Sequence, residues 1–463
     1  MFAVAFVFFY GLGFPAWAGD DLRVGPVLHL EDCVVRGIAV SHRIAERKQV
    51  VEQSKKEVII ARSRMLPRVT AQIEKSKIEN TFASGPADSD YQDQTINSAS
   101  VRLTQVLFSG LSLLQGYKKA KVVHELRKAE THLETMNVVL DIQTAFLRYL
   151  KAKEEKNRLE HSVERLQKNV AMAEDFFRER LVSQAELLQA RVDLEEAKQE
   201  LERATASVLT SLGTLNSLLD FPPYAKVKYV GRLLSFPVDI PISLEECLWF
   251  GLTRRPEIVV LEKNIEAAEK DVKIAFGETL PRVEASVSYV EYGRDYKEPG
   301  YFYGYPYDRD QTNHYWNASI RLFWSFGLGG EEFYRVNSAR IEVMRLRERL
   351  AEVKRSVQVE IGNQYRWVEE ARRRIGMSQK TVELAQKAYM QAEERFRLGV
   401  GSLMDLLDAQ ARLTRAEASR NQAYLDFQLS LARLYHAMGL RNDSLIPSKA
   451  RNLLILAERN KGG

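Results

Sequence analysis

The chain is poor in the residues that would staple or interrupt a fold: two cysteines, 13 prolines and seven histidines in 463 residues. Two thiols cannot form a disulfide framework. Cys33 and Cys247 leave two alternatives, a single bridge in an oxidising compartment or two small buried side chains. The histidines are scattered without metal-ligand spacing. So few prolines leave room for long unbroken helices. Charge of one sign is also lacking: 67 basic residues face 62 acidic ones, a formal +5, and the two signs are interleaved. That excludes a nucleic-acid footprint. Long hydrophobic runs are absent beyond the N-terminus, so no transmembrane helix is expected. There is no Gly-rich phosphate loop, nucleophile elbow or metal-ligand cluster, so neither an enzyme nor a cofactor is expected.

What is present begins with an apolar run over residues 2–14 and Ala16-Trp17-Ala18-Gly19 after it. This reads as a signal peptide over 1–18, since the run is shorter than the ~20 residues that span a bilayer. No cysteine lies near the cleavage site, so no lipid anchor is expected there. An exported chain without a transmembrane helix is soluble, or it enters a membrane as β-strands.

The chain then says the same thing twice. Leu66-Pro67-Arg68-Val69 returns as Leu280-Pro281-Arg282-Val283, and Cys33 and Gly37 meet Cys247 and Gly251 at the same offset. Ala99-Ser100-Val101-Arg102-Leu103 returns as Ala318-Ser319-Ile320-Arg321-Leu322, five residues further out of step. One unit is thus duplicated, over 28–220 and 242–440, with a linker at 221–241 and a tail at 441–463.

Each unit holds two periodicities. After an opening helix (about 30–64 and 244–278), Leu-Pro introduces two strands, 66–78 and 95–108 in the first copy, 281–292 and 315–327 in the second. Val283, Ala285, Val287 and Tyr289 alternate with Arg282, Glu284, Ser286 and Ser288. Ala318, Ile320, Leu322, Trp324 and Phe326 share one face of the returning strand. Each strand has the length of a tilted bilayer-spanning strand, although an amphipathic hairpin on a soluble core would read the same way locally. Polar loops, about 80–94 and 293–314, join them. Tyrosines in the second suit either a membrane interface girdle or a recognition loop. Helical hairpins follow, 111–218 and 330–439. Leu159, Val163, Leu166, Val170, Ala173 and Phe177 keep a strict heptad, and Ser378, Val382, Ala385, Tyr389, Ala392 and Phe396 repeat it. Returning rows run through Leu187, Ala190, Leu194 and Ala197, and through Leu406, Ala409, Leu413 and Ala416. Four amphipathic strands cannot close a membrane barrel, and an open edge is not tolerated in lipid, so strands in a membrane require oligomerisation.

The order helix, strand, strand, long helix, break, returning helix, twice over residues 28–440, resembles the TolC-type outer-membrane efflux protein family. The most specific stretch is Arg395 to Gln410, RFRLGVGSLMDLLDAQ. Leu107-Phe108 before Ser109-Gly110, and Trp324-Ser325-Phe326-Gly327, resemble the family's strand-to-helix exits. The resemblance implies a mainly α chain with a membrane β-barrel part: a homotrimer with a 12-stranded outer-membrane barrel on a long α-helical coiled-coil periplasmic tunnel. It implies a passive exit duct of tripartite efflux or type I secretion, set in outer-membrane lipid. Its partners would be a periplasmic adaptor and an inner-membrane pump of RND, ABC or MFS type. A periplasmic coiled-coil scaffold is the alternative, but it would not need alternating strands with aromatic ends.

By the same resemblance, Asp405 and Asp408 would line the pore constriction. Arg180, Leu181, Val182 and Ser183, with Arg397, Leu398, Gly399, Val400 and Gly401, would form the tips that dock the adaptor. Phe396 and Glu186 would lie next to the gate. Two departures matter. Phe396 stands where a gated member has a latch tyrosine, and Gly401 replaces a basic latch residue. A closed state must then rely on packing and other ion pairs.

Overall fold

The computed structural model describes residues 27–78, 94–235, 243–296, 300–302, 305–307, 311–325, 327–443 and 445. The expected signal peptide, most of the loop over 80–94, the end of the linker, Phe326 and most of the tail lie outside them. The elements in chain order are β1 (Val27–Leu28), α1 (Leu30–Val40), α2 (His42–Ser63), β2 (Arg68–Ile78), β3 (Gln94–Ser109), α3 (Ser112–Arg178), α4 (Gln184–Leu218) and β4 (Lys228–Tyr229). There follow α5 (Leu244–Arg254), α6 (Pro256–Glu278), β5 (Arg282–Tyr296), β6 (Gly300–Phe302), β7 (Tyr305–Tyr307), β8 (Gln311–Phe323), α7 (Glu331–Arg397) and α8 (Leu403–Ala437).

The chain is mainly helical, and α3 and α7 are 67 residues each. At 1.5 Å per residue both run roughly 100 Å. Their partners α4 and α8 are 35 residues each, so each hairpin pairs a long arm with a short return. The remaining length of the long arms packs on α2 and α6. The expected single opening helices are each broken. Ser41 and Arg255 adopt extended backbone and serve as C-cap of one helix and N-cap of the next. Pro256 at the first position of α6 enforces the second break, because its ring cannot accommodate a continuing helix.

β2, β3, β5 and β8 form one antiparallel sheet in that order, so the two copies' hairpins meet at β3 and β5. β2 and β8 are its outer strands. The second hairpin is longer than expected. β5 reaches Tyr296, β8 starts at Gln311, and a small β6–β7 hairpin sits between. At its other end β8 stops at Phe323. Trp324 is outside the strand, and its indole N–H donates to the Thr279 carbonyl at 3.2 Å.

The duplication shows in the backbone as well as the sequence. Leu111, Arg180 and Asp220 adopt left-handed φ of 65°, 57° and 56°, and at the equivalent places Gly330, Gly399 and Gly439 have 71°, 73° and 68°. The second copy holds these turns with glycine, which carries no Cβ penalty. The first holds them with ordinary residues at a cost of order 1 kcal/mol each. Close packing is repeated too. A side chain on Gly37 would collide with Ile142, and one on Gly251 with the equivalent Ile361.

The main core gathers Cys33, Ile142, Phe146, Leu215 and Tyr229 with Cys247, Ile361, Phe427 and Leu431. It extends into the segment expected to be tail. Leu445 is fully buried, and Gln143 Nε2 donates to the Asn442 carbonyl at 2.6 Å. Cys33 and Cys247 are both free thiols in this core. Burial pushes each up to about 12 from an ordinary 9.0. At pH 8 the thiolate fraction is then roughly 10⁻⁴ in the folded chain. The expected result is negligible alkylation of native protein by iodoacetamide over hours, and labelling of both thiols in guanidinium. Mass spectrometry reads the difference, and rapid labelling of folded protein would contradict this packing.

Candidate functional site

The two hairpin tips are built alike. Each long helix stops at a left-handed residue, Arg180 or Gly399, and the chain re-enters a helix through a serine N-cap, Ser183 or Ser402. The apolar tip residues Leu181, Leu398 and Val400 are 64–68% exposed, while Val182 turns inward onto the hairpin core. Among the charged tip residues, Arg397 pairs with Glu394 at 2.7 Å and Arg178 with Asp175 at 3.5 Å. Nothing would obstruct a Cβ on Gly399, so its requirement is for positive φ alone. Gly401 packs against Arg395 and the Phe396 backbone, where a side chain would be tight.

Beneath the tips, Glu186 and Asp405 occupy the same third position of their helices but behave differently. The longer Glu186 closes a capping box. Its Oε2 accepts from the Ser183 amide at 2.9 Å and hydroxyl at 2.7 Å, and these bonds hold the carboxyl below its usual range. The Glu186 carboxylate is therefore engaged by its own helix end. Asp405 is one methylene shorter. Its amide donates to Ser402 Oγ at 3.0 Å, and its carboxylate is left exposed. Asp408 lies one turn on and is also exposed, with Arg412 Nη2 at 2.7 Å. Between them Leu406 and Leu407 point into the core, so both carboxylates share the open face of α8.

Phe396 is 2% exposed and packs against Phe176 in a tilted arrangement, ring centroids 4.9 Å apart. The heptad over 159–177 fails at its last position. Phe177 is 39% exposed and Phe176 is the ring turned inward. The tip is closed by this aromatic pair.

The family model of the outer membrane efflux protein matches residues 37–220 and 251–440, most of both copies. The chain belongs to this family. Solved structures similar to it are outer-membrane proteins. VceC of Vibrio cholerae has 15% identity and a TM-score of 0.70, with 89% of this chain and 96% of that one covered. The Campylobacter jejuni channel CmeC has 16% identity and a TM-score of 0.73 over 92% and 88%. The Neisseria gonorrhoeae channel MtrE, solved in its open state, has 16% identity and a TM-score of 0.72 over 90% of each. At such identities the likeness establishes the fold. No curated protein matches.

This outer membrane efflux protein also has a feature that heptad reading passed over. A polar seam joins the first hairpin to the second along α3 and α8. Arg165 donates from Nε to Gln410 Oε1 at 3.1 Å and from Nη2 to Glu417 at 3.0 Å. Gln410 Nε2 donates to Ser162 Oγ at 3.2 Å and to Thr414 Oγ1 at 3.1 Å. Arg158 reaches the Thr414 carbonyl at 3.2 Å. Gln410 and Ser162 are 2% and 3% exposed, so these bonds are shielded from water. The available signal was polar residues among buried heptad positions, which pack only where each finds a partner.

Proposed function

We propose that three copies of this chain form an outer-membrane exit duct for efflux or type I secretion. A periplasmic adaptor docks at the hairpin tips, and an inner-membrane pump of RND, ABC or MFS type supplies the cargo. The observation that carries this reading is the four-stranded sheet. One face is apolar and exposed, with Ile73 at 88%, Ile320 at 75% and Trp316 at 74%. The other is polar and crowded, with Ser288 at 6% and Ser286 bonded to Ser319 across strands at 3.0 Å. Such a sheet suits a barrel wall with lipid outside and water within. Its outer strands β2 and β8 offer edges that a neighbouring copy can pair, and three copies make 12 strands. Among the described residues no helix is long and apolar enough to cross a membrane. The strands carry the membrane contact.

In the trimer Asp405 and Asp408 form stacked carboxylate rings at the periplasmic entrance, and Leu181, Leu398 and Val400 with the tip arginines meet the adaptor. Mild detergent extraction of the outer membrane followed by crosslinking tests the assembly, with trimer as the expected product. An epitope near Gly300 is expected to be reachable on intact cells and one near Gly401 only after permeabilisation. A soluble periplasmic monomer, as a scaffold would give, overturns the proposal.

A further inference from the structure

The polar face of the sheet is not evenly charged. At the end where the strands join the helices it carries Arg68, Arg102, Arg282 and Arg321 against a single carboxylate, Glu284. The register fixes their placement. Arg68 is opposite Thr104, Arg102 opposite Thr70 and Ser288, and Arg321 opposite Glu284. Arg68 and Arg102 are therefore diagonal neighbours on adjacent strands, about 7–8 Å apart at their backbones. Glu284 is already engaged by Arg282 at 2.6 Å. Among the described residues no carboxylate lies within ion-pair distance of Arg68 or Arg102. A cavity of about 530 Å³ opens at the same place, lined by Arg64, Arg68, Thr104, Arg282 and Glu284 among others.

Strand register gathers four guanidinium groups at one end of the polar face, and two of them, Arg68 and Arg282, line the cavity with the Thr104 hydroxyl, which an ordinary solvated face does not require. Elsewhere in this chain arginines are interleaved with carboxylates, and many of the exposed ones pair within their own helix. Guanidinium forks match carboxylate and phosphate oxygens. In a narrow water-filled lumen with low-dielectric walls, like charges focus their field on passing solutes.

We propose that this arginine collar is an anion-binding station at the base of the barrel, where carboxylate- or phosphate-bearing solutes are attracted as they leave the helical tunnel. It rests on the duct reading above. The duct is then bipolar, with carboxylates at the periplasmic entrance and guanidinium groups at the barrel base. The polar face excludes lipid phosphates as the ligand, because lipid meets the opposite face.

The test uses the full-length protein in planar bilayers under a potassium chloride gradient. Asp405→Asn and Asp408→Asn are present throughout, so that the entrance carboxylates do not set the selectivity. Arg68→Gln with Arg102→Gln is expected to lower the chloride-to-potassium permeability ratio about threefold or more, while Arg68→Lys with Arg102→Lys keeps it. Independently of any substitution in the collar, inorganic phosphate at millimolar concentration is expected to reduce single-channel chloride current. If the glutamine pair does not assemble, the phosphate titration decides. An unchanged permeability ratio in a conducting glutamine variant overturns the collar, and so does an absence of phosphate effect. Absence of any conductance from unsubstituted protein overturns the duct reading itself, and is distinguished by that.

Discussion

Asp405→Asn with Asp408→Asn is expected to abolish cation preference and to weaken block by a trivalent cation added from the periplasmic side by at least about a hundredfold. The expectation follows from two features of α8. Both carboxylates sit on the exposed face of its first two turns, and neither is buried or used as a helix cap. Three copies would crowd six carboxylates into one constriction, where a multivalent cation relieves their mutual repulsion. Arg412 counters this field, because it already pairs with Asp408 at 2.7 Å. Arg412→Ala is therefore expected to tighten the block, in the opposite direction to the aspartate changes. Single-channel recordings of wild type and both variants read this out. Identical block in all three would remove these aspartates from the constriction.

What the sequence made legible followed from periodicity. Val283, Ala285 and Val287 alternate with Glu284, Ser286 and Ser288 because successive side chains of a strand point to opposite faces, and all six lie in β5. Leu187, Ala190, Leu194 and Ala197 recur at helical spacing because they fill one seam, and all four are buried. The offsets between the two copies predicted a duplicated unit of mainly helical character, and the family match covers both copies. What stayed hidden depended on φ, on side-chain length or on cross-hairpin partners. Leu111, Arg180 and Asp220 carry no glycine signal, yet they hold the same left-handed turns as Gly330, Gly399 and Gly439. Glu186 and Asp405 look interchangeable in sequence. One methylene decides that the first closes on Ser183 while the second stays open. At the first tip, adjacent phenylalanines made the inward ring a choice that spacing got wrong. Helix ends fray from the ideal period, and Phe176 packs on Phe396. The breaks at Ser41 and Arg255 were likewise missed, since only Pro256 marks one of them.

We propose that the polar seam between α3 and α8 acts as the latch of the proposed duct, in place of the polar latch that Phe396 and Gly401 cannot form. In the proposed duct, closure would need α8, which carries Asp405 and Asp408, to be held against the neighbouring hairpin. Packing of Phe176 on Phe396 contributes at the tip but is not directional. The bonds from Arg165 to Gln410 and Glu417 are directional, and on α8 Gln410 lies within about one and a half helical turns of both aspartates and Glu417 about two and a half to three and a half turns from them. The Arg165 and Glu417 side chains are 21% and 18% exposed, so breaking the pair costs less than the 3–5 kcal/mol of a fully buried one. About 2 kcal/mol is the expected scale. Arg165→Ala removes both bonds and leaves Glu417 and the Gln410 carbonyl without their donor. If the seam stabilises the closed arrangement alone, that loss shifts the closed-to-open ratio by roughly thirtyfold. The expected reading is a higher open probability for Arg165→Ala in planar bilayers. Gln410→Leu is expected to act in the same direction but more weakly, because Arg165 keeps Glu417. Arg165→Lys separates charge from geometry. It retains attraction to Glu417 but cannot serve Gln410 and Glu417 together, and should fall between wild type and alanine. A conducting Arg165→Ala variant with wild-type open probability would show that the seam merely joins the hairpins and does not control the entrance.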